Sequence, residues 1–217
     1  MFLETGAVLS LAAQCAPAVA PHTIAAIVQA ESSNYLYAIN VNGVARQPRR
    51  PRNEAEAIAT AKAYVARGHS VDMGLGQINS NNMRWLGLTW DTVFEPCVNV
   101  EAAGRVLLTN YRAVRDGRTP QQALRVALSM YNTGSQSRGF RNGYVARVER
   151  AGRKVSGLPA TGIPTLVALS APAEAGDGSA PAELNPEEIA AENRVEPEPA
   201  PPAWDVFARA SFVRASS

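Results

Sequence analysis

The chain has 217 residues, enough for one domain with a full core and a further segment beyond it. No uninterrupted apolar run reaches the roughly 18 residues of a membrane-spanning helix, and no CxxC or His-rich tract suggests a metal, so neither a transmembrane segment nor a cofactor is expected. The formal net charge of +2 conceals a division: residues 1–157 hold 18 basic against 10 acidic side chains, and residues 158–217 hold 3 against 9.

In chain order, "MFLETGAVLSLAAQCAPAVAP" comes first. It carries an A-x-A at Ala18–Ala20, but it has Glu4, no Lys or Arg, and Pro21 straight after the candidate cleavage point. It reads as a buried first helix rather than a secretory signal. A second amphipathic helix starts near Thr23, with Ile24, Ile27 and Val28 at i, i+3 and i+4. The next position on that apolar face, i+7, is Glu31. A carboxyl there is misplaced, paired with a cation, such as an arginine of the 46–52 loop, or kept protonated for a purpose. Ser32-Ser33-Asn34 then ends the helix.

Residues 39–53, "INVNGVARQPRRPRN", read as an arginine-rich loop or small hairpin with a turn at Asn42-Gly43. A helix follows over 54–68, with Asn53 as N-cap and Gly68 as stop. The stretch 70–97 mixes glycines, asparagines and short apolar pieces, which suggests loops and short helices; Trp85 and Trp90 within it are core residues or sugar-stacking platforms, with core favoured for at least one. Asp72 reads as a solvated loop carboxylate. A helix over 99–117 is expected to be capped by Asn99 and stopped by Gly117. The next, over 119–134, has Thr119 as N-cap, Pro120 at N1 and Gln122 at N3, with an apolar stripe through Leu124, Ala127, Leu128 and Tyr131. A last helix is expected at about 143–155. Strand-like alternation is nearly absent, so the domain 1–157 is expected to be mainly α.

Residues 158–217 hold nine of the fifteen prolines and are rich in Ala and Glu, a composition that points to a disordered acidic tail. Its apolar island "WDVFARASFV", residues 204–213, is a candidate docking segment. Cys15 and Cys97 lie far apart, and the residues alone leave two readings open, buried thiols or one disulfide.

Three short blocks carry the chemistry: Glu31-Ser32, then "GLGQIN" at 74–79 about 43 residues on, then "YNTG" at 131–134 about 55 residues later. Each alone is weak, but together, with "CAPAVAPHTIAAIVQAES", "VARQPRRPRNEAEAIATAKA" and "FEPCVNVEAAGRVL", they resemble the soluble lytic transglycosylases of goose-type lysozyme-like fold. The closest likeness is to the VirB-type lytic transglycosylases of type IV secretion systems, over nearly all of residues 10–150. The resemblance implies a lysozyme-like domain and cleavage of the β-1,4 bond between N-acetylmuramic acid and N-acetylglucosamine, with a 1,6-anhydro product. It implies Glu31 as catalytic acid and base. Ser32, Gly76, Gln77, Ile78 and Asn79 would line the substrate cleft, and Tyr131 and Asn132 would hold the substrate and the catalytic carboxyl. It further implies a Cys15–Cys97 disulfide, a periplasmic location, and peptidoglycan and secretion-apparatus subunits as partners, the latter through the tail. Nucleic acid is not an expected partner, since the arginines are not interleaved with aromatics.

This reading fits the misfit of Glu31. A glycosidic oxygen leaves poorly unless a carboxylic acid protonates it, and burial keeps that proton on. Ordinary glycosidases use two carboxylates. A transglycosylase needs one, because the muramyl C6 hydroxyl is an intramolecular nucleophile. If Asp72 faced the cleft, hydrolysis would become possible.

Overall fold

The structure is a computed structural model that describes residues 1–157; the expectations placed on 158–217, the disordered tail and its 204–213 segment, lie outside the described residues. The described part is mainly helical, with α1 Thr5–Cys15, α2 Pro21–Ser32, α3 Glu54–Val65, α4 Met83–Leu86, α5 Pro96–Val114, α6 Pro120–Thr133, α7 Arg138–Arg141 and α8 Tyr144–Val155. A small antiparallel sheet of β1 Ile39–Val41, β2 Val71–Met73 and β3 Ile78–Asn79 lies in the order β1-β2-β3.

Helix α2 is the axis of the main core. Ile24, Ala25, Ala26, Ile27 and Val28 are all buried, so it is apolar on every side and is packed by α1, α5 and α8. Its last turn, from Gln29 to Ser32, emerges half-buried. Ser33 (φ 52°) and Asn34 (φ 64°) then turn left-handed, and Asn34 Nδ2 donates to the Leu3 carbonyl at 3.2 Å. Asn suits such a conformation because its short amide hydrogen-bonds locally. A second cluster packs Val41, Val71 and Met73 of the sheet against Ala57 and Ala61 of α3 and against Val93 and Phe94.

The N-terminal caps follow the sequence. Asn53 Oδ1 accepts from the Glu56 N–H at 2.9 Å, and Thr119 and Gln122 form a reciprocal capping box ahead of α6. Three expectations are corrected. Helix α5 begins at Pro96, whose fixed φ suits N1, so Asn99 lies inside the helix and is buried rather than capping it. The same helix ends at Val114, short of Gly117. Of residues 39–53, 42–53 are loop, as one of the two readings had it, and Ile39–Val41 form β1, which pairs not locally but with β2, in the register Ile39↔Met73 and Val41↔Val71. On the other edge of β1, the Gln47 side chain satisfies both backbone groups of Val41 at 2.8 Å, as a neighbouring strand would. Asp72 accordingly sits in a strand, not in a solvated loop.

The end of α1 is joined to the start of α5 by a Cys15–Cys97 disulfide. Crossing a sequence separation of 82 restricts the unfolded chain strongly. Replacing both cysteines with alanine is expected to lower stability by about 4 kcal/mol, read by urea unfolding under non-reducing conditions.

Candidate active site

Glu31 projects from the last turn of α2, where the helix leaves the core. Tyr144, the first residue of α8, is fully buried and its hydroxyl donates to Glu31 Oε1 at 2.6 Å. The bond engages Oε1 and not Oε2. Burial, the largest influence, raises the Glu31 pKa from 4.5 to about 7; the Tyr144 bond opposes this, the Asp72 charge adds to it, and Arg147 opposes it. No arginine of the 46–52 loop is paired with Glu31. Arg52 binds Glu56, and Arg50 lies over the rings of Phe2 and Tyr35.

Asp72 is fixed by its strand neighbours. In an antiparallel sheet directly opposed residues share a face, and Asn40, Asp72 and Asn79 are opposed across β1, β2 and β3. Asn40 Nδ2 (3.1 Å) and Asn42 Nδ2 (3.0 Å) donate to Asp72 Oδ2, and Asn79 Nδ2 (2.6 Å) donates to Oδ1. Val71 and Met73, on the opposite face of β2, are buried.

The β2–β3 turn is held from three sides. Gly74 (φ 76°) and Gln77 (φ 50°) are both left-handed, the second without the freedom of glycine. The Gln77 amide offsets this by donating to the carbonyls of Gly74 (3.0 Å) and Ala38 (3.2 Å). Beneath the turn, Asn99 accepts from the Gly76 N–H at 2.8 Å and donates to Met73 O (3.0 Å) and Val93 O (2.7 Å). The Tyr131 hydroxyl closes the set by donating to Gly76 O at 2.6 Å. A side chain at Gly76 would press on Ala103 Cβ, 2.7 Å from an added Cβ.

The expected cleft residues therefore differ in what they present. Gly76 is buried with both backbone polar groups used internally, and Ile78 is 2% exposed among Leu86, Ala102 and Ala103. Gln77 and Asn79 are half-buried. Ser32 spends its hydroxyl proton on Val28 O. Asn132 is exposed and accepts from Asn142 Nδ2 at 2.9 Å. The expectation that Tyr131 and Asn132 hold the carboxyl is corrected: the hydroxyl bonded to it is that of Tyr144, while Tyr131 braces the turn. Burial, with Glu31 close by, raises both phenols well above their ordinary pKa, so both remain neutral donors. Trp85 is 46% exposed, and Trp90 packs half-buried against the α3 cluster.

Tyr144 was missed because the α8 stripe Tyr144, Val145, Val148, Ala151 reads as plain core. Tyr144→Phe removes the bond that opposes the raised Glu31 pKa, so that pKa is expected to move above 7, shifting the alkaline limb of activity upward. Rate should fall about tenfold through lost orientation, as read from a pH–rate profile.

The family described as Transglycosylase SLT domain matches residues 9–151. The chain belongs to the transglycosylase SLT domain family. Among curated relatives of this SLT chain, "Protein virB1" of Agrobacterium fabrum is 39% identical over 146 residues, 67% of this chain and 59% of the relative. "Type IV secretion system protein virB1" of Brucella abortus is 42% identical over 135 residues, 61% of this chain and 56% of the relative. "Protein virB1" of Rhizobium radiobacter is 39% identical over 145 residues, 67% of this chain and 60% of the relative. The SLT chain thus spans under two thirds of the length of these relatives. No solved structure matches it.

Proposed function

We propose that this protein is a peptidoglycan lytic transglycosylase that cleaves the MurNAc-β-1,4-GlcNAc bond and leaves 1,6-anhydro-MurNAc. The observation that carries the reading is Glu31, a carboxyl with a pKa of about 7 oriented by one buried tyrosine. In the first step Glu31 passes its proton to the glycosidic oxygen, the C1–O bond breaks, and GlcNAc departs with a free hydroxyl. In the second the carboxylate takes the proton of the muramyl C6 hydroxyl as O6 bonds to C1, which restores the acid. A pKa near neutrality suits a group that must give and then regain a proton. No water enters the net reaction.

A muramidase is the second reading, favoured by Asp72. Fixed by three amides and within electrostatic reach of Glu31, it is the candidate for the second carboxylate that a hydrolase needs. Digesting purified sacculi with the full chain and reading products by mass spectrometry separates the readings. Anhydro-muropeptides are expected. Reducing ends would establish hydrolysis instead, and sedimentation with sacculi without any cleavage would leave a peptidoglycan-binding assembly factor.

The printed name of the Brucella relative places that protein in a type IV secretion system. By likeness, the cleavage here would open the wall locally for such an apparatus, in the periplasm, with apparatus subunits as partners. Among the described residues no helix is long and apolar enough to cross a membrane.

A further inference from the structure

An open cavity of about 540 Å³ is lined by Thr133, Arg138, Arg141 and Asn142. Its wall residue Asn142 is linked to the site through Tyr144, whose hydroxyl meets Glu31. Asn142 donates to Asn132, the neighbour of Tyr131, and its Oδ1 accepts from the N–H of Tyr144 at 3.0 Å. Its walls are rigidly built. Ser129, fully buried, donates to Ser135 O at 2.7 Å and accepts from the Gly139 N–H at 2.8 Å, which locks the turn between α6 and α7. A Cβ at Gly139 would lie 2.5 Å from Ser129 Cα, so the backbone carrying both arginines is pressed directly onto α6.

Arg138 and Arg141 sit one turn apart on this platform. Each is anchored by one arm, Arg138 Nη2 to Thr133 O at 2.8 Å and Arg141 Nη1 to Ser137 Oγ at 2.9 Å. A guanidinium carries five N–H donors, so most of each fork is left for a ligand. Among the described residues neither arginine is paired with a carboxylate. Two adjacent, pre-oriented and unneutralised guanidinium groups make an acceptor-hungry, anion-selective pocket, and their planar forks match a carboxylate best.

We infer that the Arg138–Arg141 cavity binds a carboxylate carried by the muramyl residue of the glycan strand, which gives the enzyme a hold on the muropeptide beside the bond it cuts. This rests on the peptidoglycan reading above. The carboxylate has two sources, the stem peptide or, on a stem-free strand, the lactyl group itself. Neutral glycan hydroxyls would gain little from two arginines.

The test uses the full chain in a Glu31→Gln background, so that binding is measured without turnover. Sedimentation with intact sacculi and with sacculi stripped of stems by an N-acetylmuramyl-L-alanine amidase gives the two arms. Adding Arg138→Gln and Arg141→Gln is expected to weaken binding to intact sacculi about tenfold at moderate salt and to leave the stripped arm unchanged. Weakening confined to the stripped arm assigns the lactyl carboxylate, and weakening in both assigns either source. No change in either arm overturns the inference. So does an equal loss from Arg46→Gln with Arg49→Gln, which removes the same charge from the exposed loop. Circular dichroism checks that each variant is folded. If the wild type releases no anhydro product, the proposed activity falls, while the binding result still decides the cavity.

Discussion

Glu31→Gln is expected to lower the release of anhydro-muropeptides about 10³-fold, because glutamine keeps the shape and the Tyr144 contact but has no proton to give. Loss of fold is separable from this, and its sign runs the other way. The folded pKa of about 7 stands above the ordinary 4.5, so between those values the native state binds a proton that the unfolded chain has released. Stability therefore falls as pH rises from 4.5 to 7, and above 7 the full penalty for a buried carboxylate is present. Glutamine carries no such penalty. The variant should match the wild type near pH 4 and exceed it at pH 8 by roughly 1–3 kcal/mol, the range allowing for solvent at a half-buried site. Wild-type activity should decline above pH 7 as the acid form is lost. A Glu31→Gln enzyme within about tenfold of wild type, folded and stable, would remove Glu31 from the chemistry.

The misplacement of Glu31 in an apolar stripe was visible in the sequence because helical periodicity gives every position an expected character, and a carboxyl at i+7 violates it. The helices and their caps were legible because their signals are local: Asn53 and Thr119 cap through the residue three positions on, and Pro120 suits N1 by its fixed φ. The sheet was not legible. Strands of two or three residues are too short to show alternation, and the partner of β1 lies some thirty residues on. Asp72, read as a loop residue, is fixed by that pairing and nothing local announces it. Tyr144 and Asn99 were hidden for a different reason: both occupy positions that have an ordinary explanation, an aromatic in a core stripe and an asparagine near a helix start. Only the fold shows that the Tyr144 hydroxyl meets a carboxyl 113 residues away.

Asn99→Ala is expected to be the most costly single change to the scaffold of the site. Asn99 is 1% exposed, and its amide satisfies two carbonyls and one N–H drawn from two separate segments, the β2–β3 turn and Val93. Alanine leaves Met73 O, Val93 O and the Gly76 N–H buried without that partner, a loss of about 3 kcal/mol or more, measurable by thermal or urea unfolding. Activity should fall as well at temperatures where the variant is folded, since Gly76 anchors Tyr131 and its turn joins β2 to β3, which hold Asp72 against Asn79. A stability loss under about 1 kcal/mol would mean that water replaces the amide and that the turn needs no such anchor. A partner substitution identifies the cause. Gly74 is left-handed and a Cβ there would collide with the Asn99 amide, so Gly74→Ala alone should also be severely destabilising. Once Asn99→Ala has vacated that space, Gly74→Ala should cost less than it does in the wild type, since only the left-handed strain remains. Sub-additivity in that double-mutant cycle distinguishes steric contact at the turn from two independent injuries, which would add.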